Sequence, residues 1–591
     1  MSVTVTSLAS FTAGGSYVPA GAVSLDAAGD LFVTTAYNAA VFELTYNAAS
    51  GTYSGANQIA SLAGIGGSLP FSGVTVAPNG DLFGTTAVGG NGFGLVYEVA
   101  YTPGAGYAST PELITAFNGS DGATPYGGLI MDSAGDLFGT TYSGGPSGGG
   151  EVYEITYSAA GGYASTPQVI GALGSSTGTN PEMYDGNLVM DAQGDLFGVA
   201  STGGLYGYGT VFEVACTPGQ GYVSGASAVA SFMGSNGNSP SGTLVMDAKG
   251  DLFGTTQFGG AGFGTVFEIA YTPGSGYANM PLTLVSFNGA DGYRPLGGLT
   301  IDAKGNLFGT TMLGGTANGG TAFEITYSAA TGYSSTPETL ANFDTSMGVE
   351  PYSVMAGTAS GALVGTLAEG GGSGGGAVYE LTGTDYAPLC FYPGTCIRTT
   401  QGDVPVEALT TDHVAITPEG EMPISWLGRS EVALRLADSL AVLPIRIRAG
   451  ALGGGLPVRD LLVSPGHALL VGGVLAEARA LVNGTSIMRE TDVPAAFTYY
   501  HVELPRHALL YAAGALAESF VDNAERMTFS NWDERAPTTP TGEMNLPRAK
   551  SARQVPRAVR EQLAAAALGG HEAPCSLPWI PSAPTPAPCW S

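Results

Sequence analysis

One seven-residue motif, Gly250-Asp251-Leu252-Phe253-Gly254-Thr255-Thr256, recurs along the first two-thirds of this 591-residue chain and leaves few folds open to it. Counterparts begin at Gly29, Gly80, Gly135, Gly194 and Gly305, and a worn seventh copy runs from Gly361 to Thr366. Successive copies are 51, 55, 59, 56, 55 and 56 residues apart. Periods of this length belong to propellers and solenoids. Each unit carries four short β-compatible runs; in the sixth copy they are 282–287, 298–301, 306–311 and 321–325. Asp302-Ala303-Lys304-Gly305 joins the second run to the third as a tight hairpin: Asp accepts backbone N–H groups and Gly takes the left-handed position. The fourth run alternates apolar and polar residues, as in Val211-Phe212-Glu213-Val214, the mark of a half-buried strand. Four hairpin-joined strands in each of seven units predict an all-β fold, a seven-bladed β-propeller over residues 1–383, with a β-solenoid as the rival architecture.

Charge separates this array from the rest of the chain. The net charge is −29. Residues 1–389 hold three basic side chains (Lys249, Arg294, Lys304) against 28 acidic ones and no histidine. Such a surface repels phosphate backbones, so nucleic-acid binding is not expected. No stretch approaches the roughly 20 apolar residues of a membrane-spanning helix. Met1-Ser2-Val3-Thr4-Val5-Thr6-Ser7-Leu8 lacks the basic and apolar regions of a Sec signal. The acidic, Gly/Ser/Thr-rich composition nonetheless points to an extracellular or cell-surface protein, exported by a route this sequence does not display. Five cysteines (216, 390, 396, 575, 589) are too sparse for a disulfide framework, although a Cys575–Cys589 bridge is open. Neither a CxxC pair nor a His/Cys cluster with zinc spacing occurs, so no metal and no cofactor is expected.

Within the array, Asp30, Asp81, Asp136, Asp195 and Asp251 are expected to cap their hairpin turns rather than bind calcium, because one Asp per turn does not converge enough oxygens. Phe93, Tyr206, Tyr208 and Phe263 sit between glycines and either pack between blades or line a face for a glycan or other surface ligand. A carbohydrate-active enzyme would need a paired carboxylate, and no pair stands out.

After residue 383 the glycine repeats end. Residues 384–389 form a linker, 390–530 read as a compact all-β domain of many short strands, and 531–591 read as a Pro/Ala-rich tail with one short helix at 558–568. All five histidines lie beyond residue 390. Bond-making chemistry is therefore sought there, beginning with the Cys390 thiol at the head of this segment.

The residues of both regions resemble known families. The recurrent Gly-Asp-Leu-Phe-Gly-Thr-Thr, the Gly-Gly that follows it and runs such as Val266-Phe267-Glu268-Ile269 resemble the GloVer-type tandem repeats of bacterial surface and secreted proteins. Three motifs in order resemble the Hint domain, the Hedgehog/intein autoprocessing fold, in its bacterial form. They are Cys390-Phe391-x-x-Gly394-Thr395-x-Ile397, Val406-Glu407-Ala408-Leu409-x-x-Asp412-x-Val414 and Leu462-Val463-Ser464-Pro465-Gly466-His467-Ala468-Leu469. The runs 499–507 and 517–520 add to the likeness.

The Hint resemblance implies single-turnover self-cleavage or transfer at Leu389–Cys390. The thiol of Cys390 would add to the Leu389 carbonyl to form a thioester, a step that suits a partly ionised, intrinsically nucleophilic group. His467 would protonate the leaving nitrogen, and Ser464, standing where the family has Thr, would polarise the scissile amide. His507 is a further candidate because the family carries a functional His near that position. The acceptor of the thioester is unknown, with water the default. Splicing is not expected, since Asn523 is followed by Ala524. The bland readings make Cys390 and Cys396 a disulfide, His467 an ordinary turn residue, His501 and His507 surface residues and Asp412 the support of a turn. On those readings the protein is a surface binding or adhesion protein with a non-catalytic Hint fold.

Overall fold

The computed structural model describes residues 3–382, 391–505 and 508–519, with gaps at 13–17, 27, 48–51, 133, 182–185, 192, 218–219, 248, 303–304, 329–330, 359–360, 434–442, 491–492 and 494–495. Beyond these it describes 548–549, 555–556, 559–560 and 562–563.

Among the described residues, seven antiparallel sheets of four or five strands occupy 4–382, with five two-stranded hairpins beside them. The second shows the pattern: Thr75–Val76, Leu82–Thr86, Leu95–Val99 and Glu112–Ala116 pair in chain order. The fourth sheet has a fifth strand, because Thr179–Pro181 and Val189–Met190 both pair with Leu196–Thr202. The seventh takes its outer strand from the other end of the repeat region: Thr4–Thr12 pairs with Gly374–Thr382. The region is a seven-bladed propeller closed by its own N-terminal strand. The four runs of one sequence unit do not form one blade, however. Leu282–Ser286, the first run of the sixth unit, pairs with Thr265–Ile269 of the fifth. Each blade borrows its outer strand from the next unit, and this offset leaves Thr4–Thr12 available to close the ring.

The motif's residues follow from that geometry. Leu31 packs with Phe11, Val364 and Val378 of the seventh blade, whereas Phe32 packs with Val74, Leu82 and Tyr97 of the second. A strand buried on both faces needs apolar side chains at successive positions, hence the Leu-Phe pair. The glycine that follows makes room for an aromatic ring. Gly254 lies opposite Phe267 in the register, and a Cβ there would stand 2.6 Å from the ring. At Gly84 a Cβ would stand 2.4 Å from the Tyr97 hydroxyl.

The first Thr of the motif ties five of the seven blades to the next. Hydroxyls of Thr34, Thr85, Thr255, Thr310 and Thr366 donate to the carbonyls of Ser72, Gly127, Gly297, Ser353 and Gly21, each on the loop leading into the neighbouring blade's inner strand. The fourth blade has Val199 at this position and lacks the donor. The motif's Asp does not cap its own turn, contrary to expectation. Where an Asp stands four residues earlier, it caps the turn: Asp247 Oδ1 accepts from the N–H groups of Lys249 and Asp251. Asp251 instead accepts from Tyr271 N–H, 20 residues on, and Asp81 accepts from Tyr101. It thus secures the start of an accessory hairpin, here Tyr271–Thr272 with Gly276–Tyr277.

The C-terminal region is a separate all-β unit. Its largest sheet runs Gly420–Pro423, Val414–Thr417, Cys396–Thr399, Leu509–Ala512, Ala515–Glu518, Ala468–Val471, Val474–Glu477 and Arg548–Ala549, with Gly402–Pro405 also on Cys396–Thr399. Trp426–Ala433 pairs with Ala496–Glu503, and Ile445–Ile447 lies between Leu461–Val463 and Ile487–Arg489. The described residues of 531–591 do not behave as a tail. Arg548–Ala549 adds a parallel strand to Val474–Glu477, Val555, Val559 and Leu563 enter the unit's core, and Gln562 Nε2 donates to Leu452 O at 2.6 Å.

Candidate active site

Leu389, Cys390 and His507 lie outside the described residues. The chain just after Cys390 is closely held. Phe391 forms bridges to both Val463 and Tyr500. Its N–H donates to Tyr500 O at 2.7 Å, and its carbonyl accepts from Tyr500 N–H at 2.8 Å. Tyr392 N–H donates to Leu462 O at 3.2 Å. The turn that follows is tied down by Thr395 Oγ1, which donates to Leu462 O at 2.9 Å, and by the Glu407 carboxylate, which accepts from Gly394 N–H at 2.8 Å. Glu407 thereby explains its place in the second motif.

Ser464 and His467 are brought to this spot by Val463, the strand residue that bridges Phe391. His467 N–H donates to Ser464 O at 3.1 Å across the Pro465-Gly466 turn, and the His467 carbonyl accepts from Ala478 N–H at 2.9 Å. Ser464 and His467 are buried. The His467 ring lies against the Phe391 ring, with centroids 4.2 Å apart. A turn histidine that merely faced water would not be sealed under an aromatic ring next to the domain's first residues.

Comparison with known families agrees with this geometry. Residues 389–524 match the Hint domain family. Residues 18–224, 94–280 and 184–413 match the Gloeobacter/Verrucomicrobia repeat. The chain belongs to the Gloeobacter/Verrucomicrobia repeat family, and a Hint domain follows its repeats. No curated protein matches it. Among solved structures it is similar to a streptogramin B lyase (13% identity, TM-score 0.40, covering 64% of this chain and 97% of that one). It is also similar to virginiamycin B lyase from Staphylococcus aureus (12% identity, TM-score 0.41, 64% and 98%). A third is a periplasmic gluconolactonase from Pseudomonas aeruginosa (20% identity, TM-score 0.38, 59% and 94%). The propeller assignment rests on the seven sheets and the closing strand.

The Hint domain also decides a residue left open by the sequence. His501, a surface residue on the bland reading, is 1% exposed. It stands on Ala496–Glu503, next to the Tyr500 that clasps Phe391, and shares a strand face with the buried Tyr499 and Glu503. Tyr499 in turn meets the Tyr392 ring at 6.1 Å. The alternation of Tyr499, His501 and Glu503 was the one available signal. It is easily missed because polar residues fill the buried face. Asp412 is exposed in its turn, where the side-chain bonds come from Thr410 and His413 Nδ1. Cys396 is buried, with its sulfur 3.6 Å from Arg459 Nη1 and 3.7 Å from Gly394 O.

The propeller places carboxylates in small groups. Burial and the neighbouring Asp30 push Asp26 up to about 6. Burial and Asp251 push Asp247 up to about 6, against the pull of Lys249. Among the described residues no group of three or more His, Cys, Asp and Glu is arranged to hold a metal ion. Phe93 and Phe263 lie over Gly119 and Gly289 of the adjoining loop, where an added Cβ would stand 3.0 Å from each ring, and both remain partly exposed. Glu151 is the exception to the repeat. It is fully buried beneath Gly145, its carboxyl has no hydrogen-bond partner among the described residues, and burial pushes it up to about 7.

Proposed function

We propose that the Hint domain cuts its own chain at Leu389–Cys390 and so releases or transfers the propeller. Cys390 Sγ adds to the Leu389 carbonyl carbon. The C–N bond breaks, a thioester forms, and the freed nitrogen of Cys390 takes a proton from His467, which is made good by the proton the thiol gave up. Water, the default acceptor, then attacks the thioester carbonyl, leaving Leu389 as a carboxyl end and restoring the thiol. The propeller is the passenger, and a glycan or other surface ligand outside the cell is its proposed partner.

The observation that carries this reading is the Phe391 clasp. The residue next to the proposed nucleophile is pinned between Val463 and Tyr500, with its ring 4.2 Å from that of His467. This puts the start of the domain beside the Ser464–His467 turn, and positioning of this kind is what acyl transfer requires. The test is intact-mass analysis of the full chain incubated with and without dithiothreitol or hydroxylamine. A fragment ending at Leu389, absent in Cys390→Ala, is the expected result. A wild-type chain that stays whole under every condition while its thiol is titratable would leave a binding protein with a non-catalytic Hint fold.

A further inference from the structure

We propose that Glu518 and Ser519 are positioning residues that yoke the His467 turn to the chain at Ala508. The proposal rests on the self-cleavage reading. Both residues are fully buried at the end of the strand Ala515–Glu518, which pairs with Leu509–Ala512 on one side and meets Ala468–Val471 on the other. Glu518 Oε1 accepts from Ala468 N–H at 3.2 Å. Ser519 Oγ accepts from Ala508 N–H at 3.1 Å, and Ser519 N–H donates to Ala508 O at 2.8 Å. Ala468 follows His467 in the chain, and Ala508 follows His507. Two consecutive side chains therefore grip the residues just after the two candidate histidines.

A polar side chain this deeply buried is costly unless it is bonded, and the bond that Glu518 Oε1 accepts is from the N–H that follows His467. The His467 turn is held on its other flank by Ala478 N–H at His467 O and Arg479 N–H at Pro465 O, both at 2.9 Å. Glu518 fixes the one edge of the turn that leads into the sheet. A proton donor displaced by even 1 Å loses on the order of 100-fold in rate, so a rigid seat for His467 matters more to chemistry than to folding.

The full chain is compared as wild type, Glu518→Gln, Glu518→Asp and Ser519→Ala. Release of the Leu389-ended fragment is followed from pH 6 to 9. The histidine resonances of the same variants are titrated in a Cys390→Ala background, where five histidines make assignment practicable. Glu518→Asp keeps the carboxyl on a shorter arm. It is expected to slow cleavage about tenfold and to move the His467 midpoint. Glu518→Gln keeps the reach and retains most of the rate, and Ser519→Ala moves the His507 resonance while leaving His467 in place. Folded variants whose histidine titrations and pH profiles all match wild type would overturn the yoke. Should the wild type itself fail to cleave, the self-cleavage reading falls, while the titrations in the Cys390→Ala background still decide whether Glu518 seats His467.

Discussion

The propeller and the Hint domain solve opposite problems. In the propeller one residue type does one job many times. The motif Thr bonds to the next blade at five of the seven positions, and the motif Gly admits an aromatic ring in blade after blade. In the Hint domain each polar group does its job once: Glu407 holds one turn, Glu518 one N–H, and His467 lies under one ring. Repetition tolerates a worn copy, because a ring of seven blades keeps most of its contacts when one fails. A single-copy site has no such reserve. Function should therefore be fragile in the last third and stability distributed through the first two.

The sharpest way to break this contrast is His467→Ala. Loss of a positioned proton donor is expected to slow thioester formation by about 100-fold or more, read as dithiothreitol-released fragment, with the propeller's thermal midpoint unmoved. An unchanged rate would remove His467 from the mechanism. Gly254→Val asks whether repetition protects the ring, since its side chain would run into the Phe267 ring. A cost of about 3 kcal/mol is expected by denaturant unfolding of residues 1–383, without loss of cleavage in the full chain.

Glu151→Thr sharpens the comparison from the other side. Thr265 and Thr321 occupy the matching position in the fifth and sixth blades and bond to Thr256 and Thr311 at 2.7 and 2.8 Å. Thr141 already stands opposite Glu151. Replacing an unpartnered buried carboxyl with that threonine should stabilise the propeller by about 2 kcal/mol. The same residue sets a pH dependence. Its folded pKa is raised to about 7 from 4.5, so the stabilising proton is fully held below about 4.5 and lost as pH rises through 7. The thermal midpoint of the wild type should climb as pH falls from 8 to 6, and that part of the climb should vanish in Glu151→Thr. The smallest effect is expected of Thr255→Val, which copies into the fifth blade the gap that Val199 makes in the fourth. About 1 kcal/mol should be lost, because the one hydroxyl proton that the Ser241 and Gly297 carbonyls share is removed.

Much of both regions was legible before any coordinates. The repeat period, the hairpin signal and the Leu-Phe pair depend on neighbours a few residues away, and they predicted the seven-bladed propeller. The three ordered motifs pointed to the Hint domain for the same reason: each is a local segment with its own turn chemistry. The partner of the motif Asp was not legible, since Tyr271 lies 20 residues downstream and nothing local separates a turn cap from a longer reach. Nor was the burial of His501, because a polar residue on a strand is ordinarily read as solvent-facing. The Pro/Ala-rich composition of 531–591 reads as a tail, yet Val555, Val559 and Leu563 find a core prepared by residues between Phe391 and Ala517.

The amino-acid sequence by itself determined the number of blades, the order of the two regions and the candidate nucleophile at their junction, because period, turn residues and motif order are properties of the chain read in line. Only the tertiary structure decided which strand completes each blade, how Thr4–Thr12 closes the ring, and which buried groups surround His467. Those depend on register between segments far apart in sequence, and register is settled by which faces can be buried together.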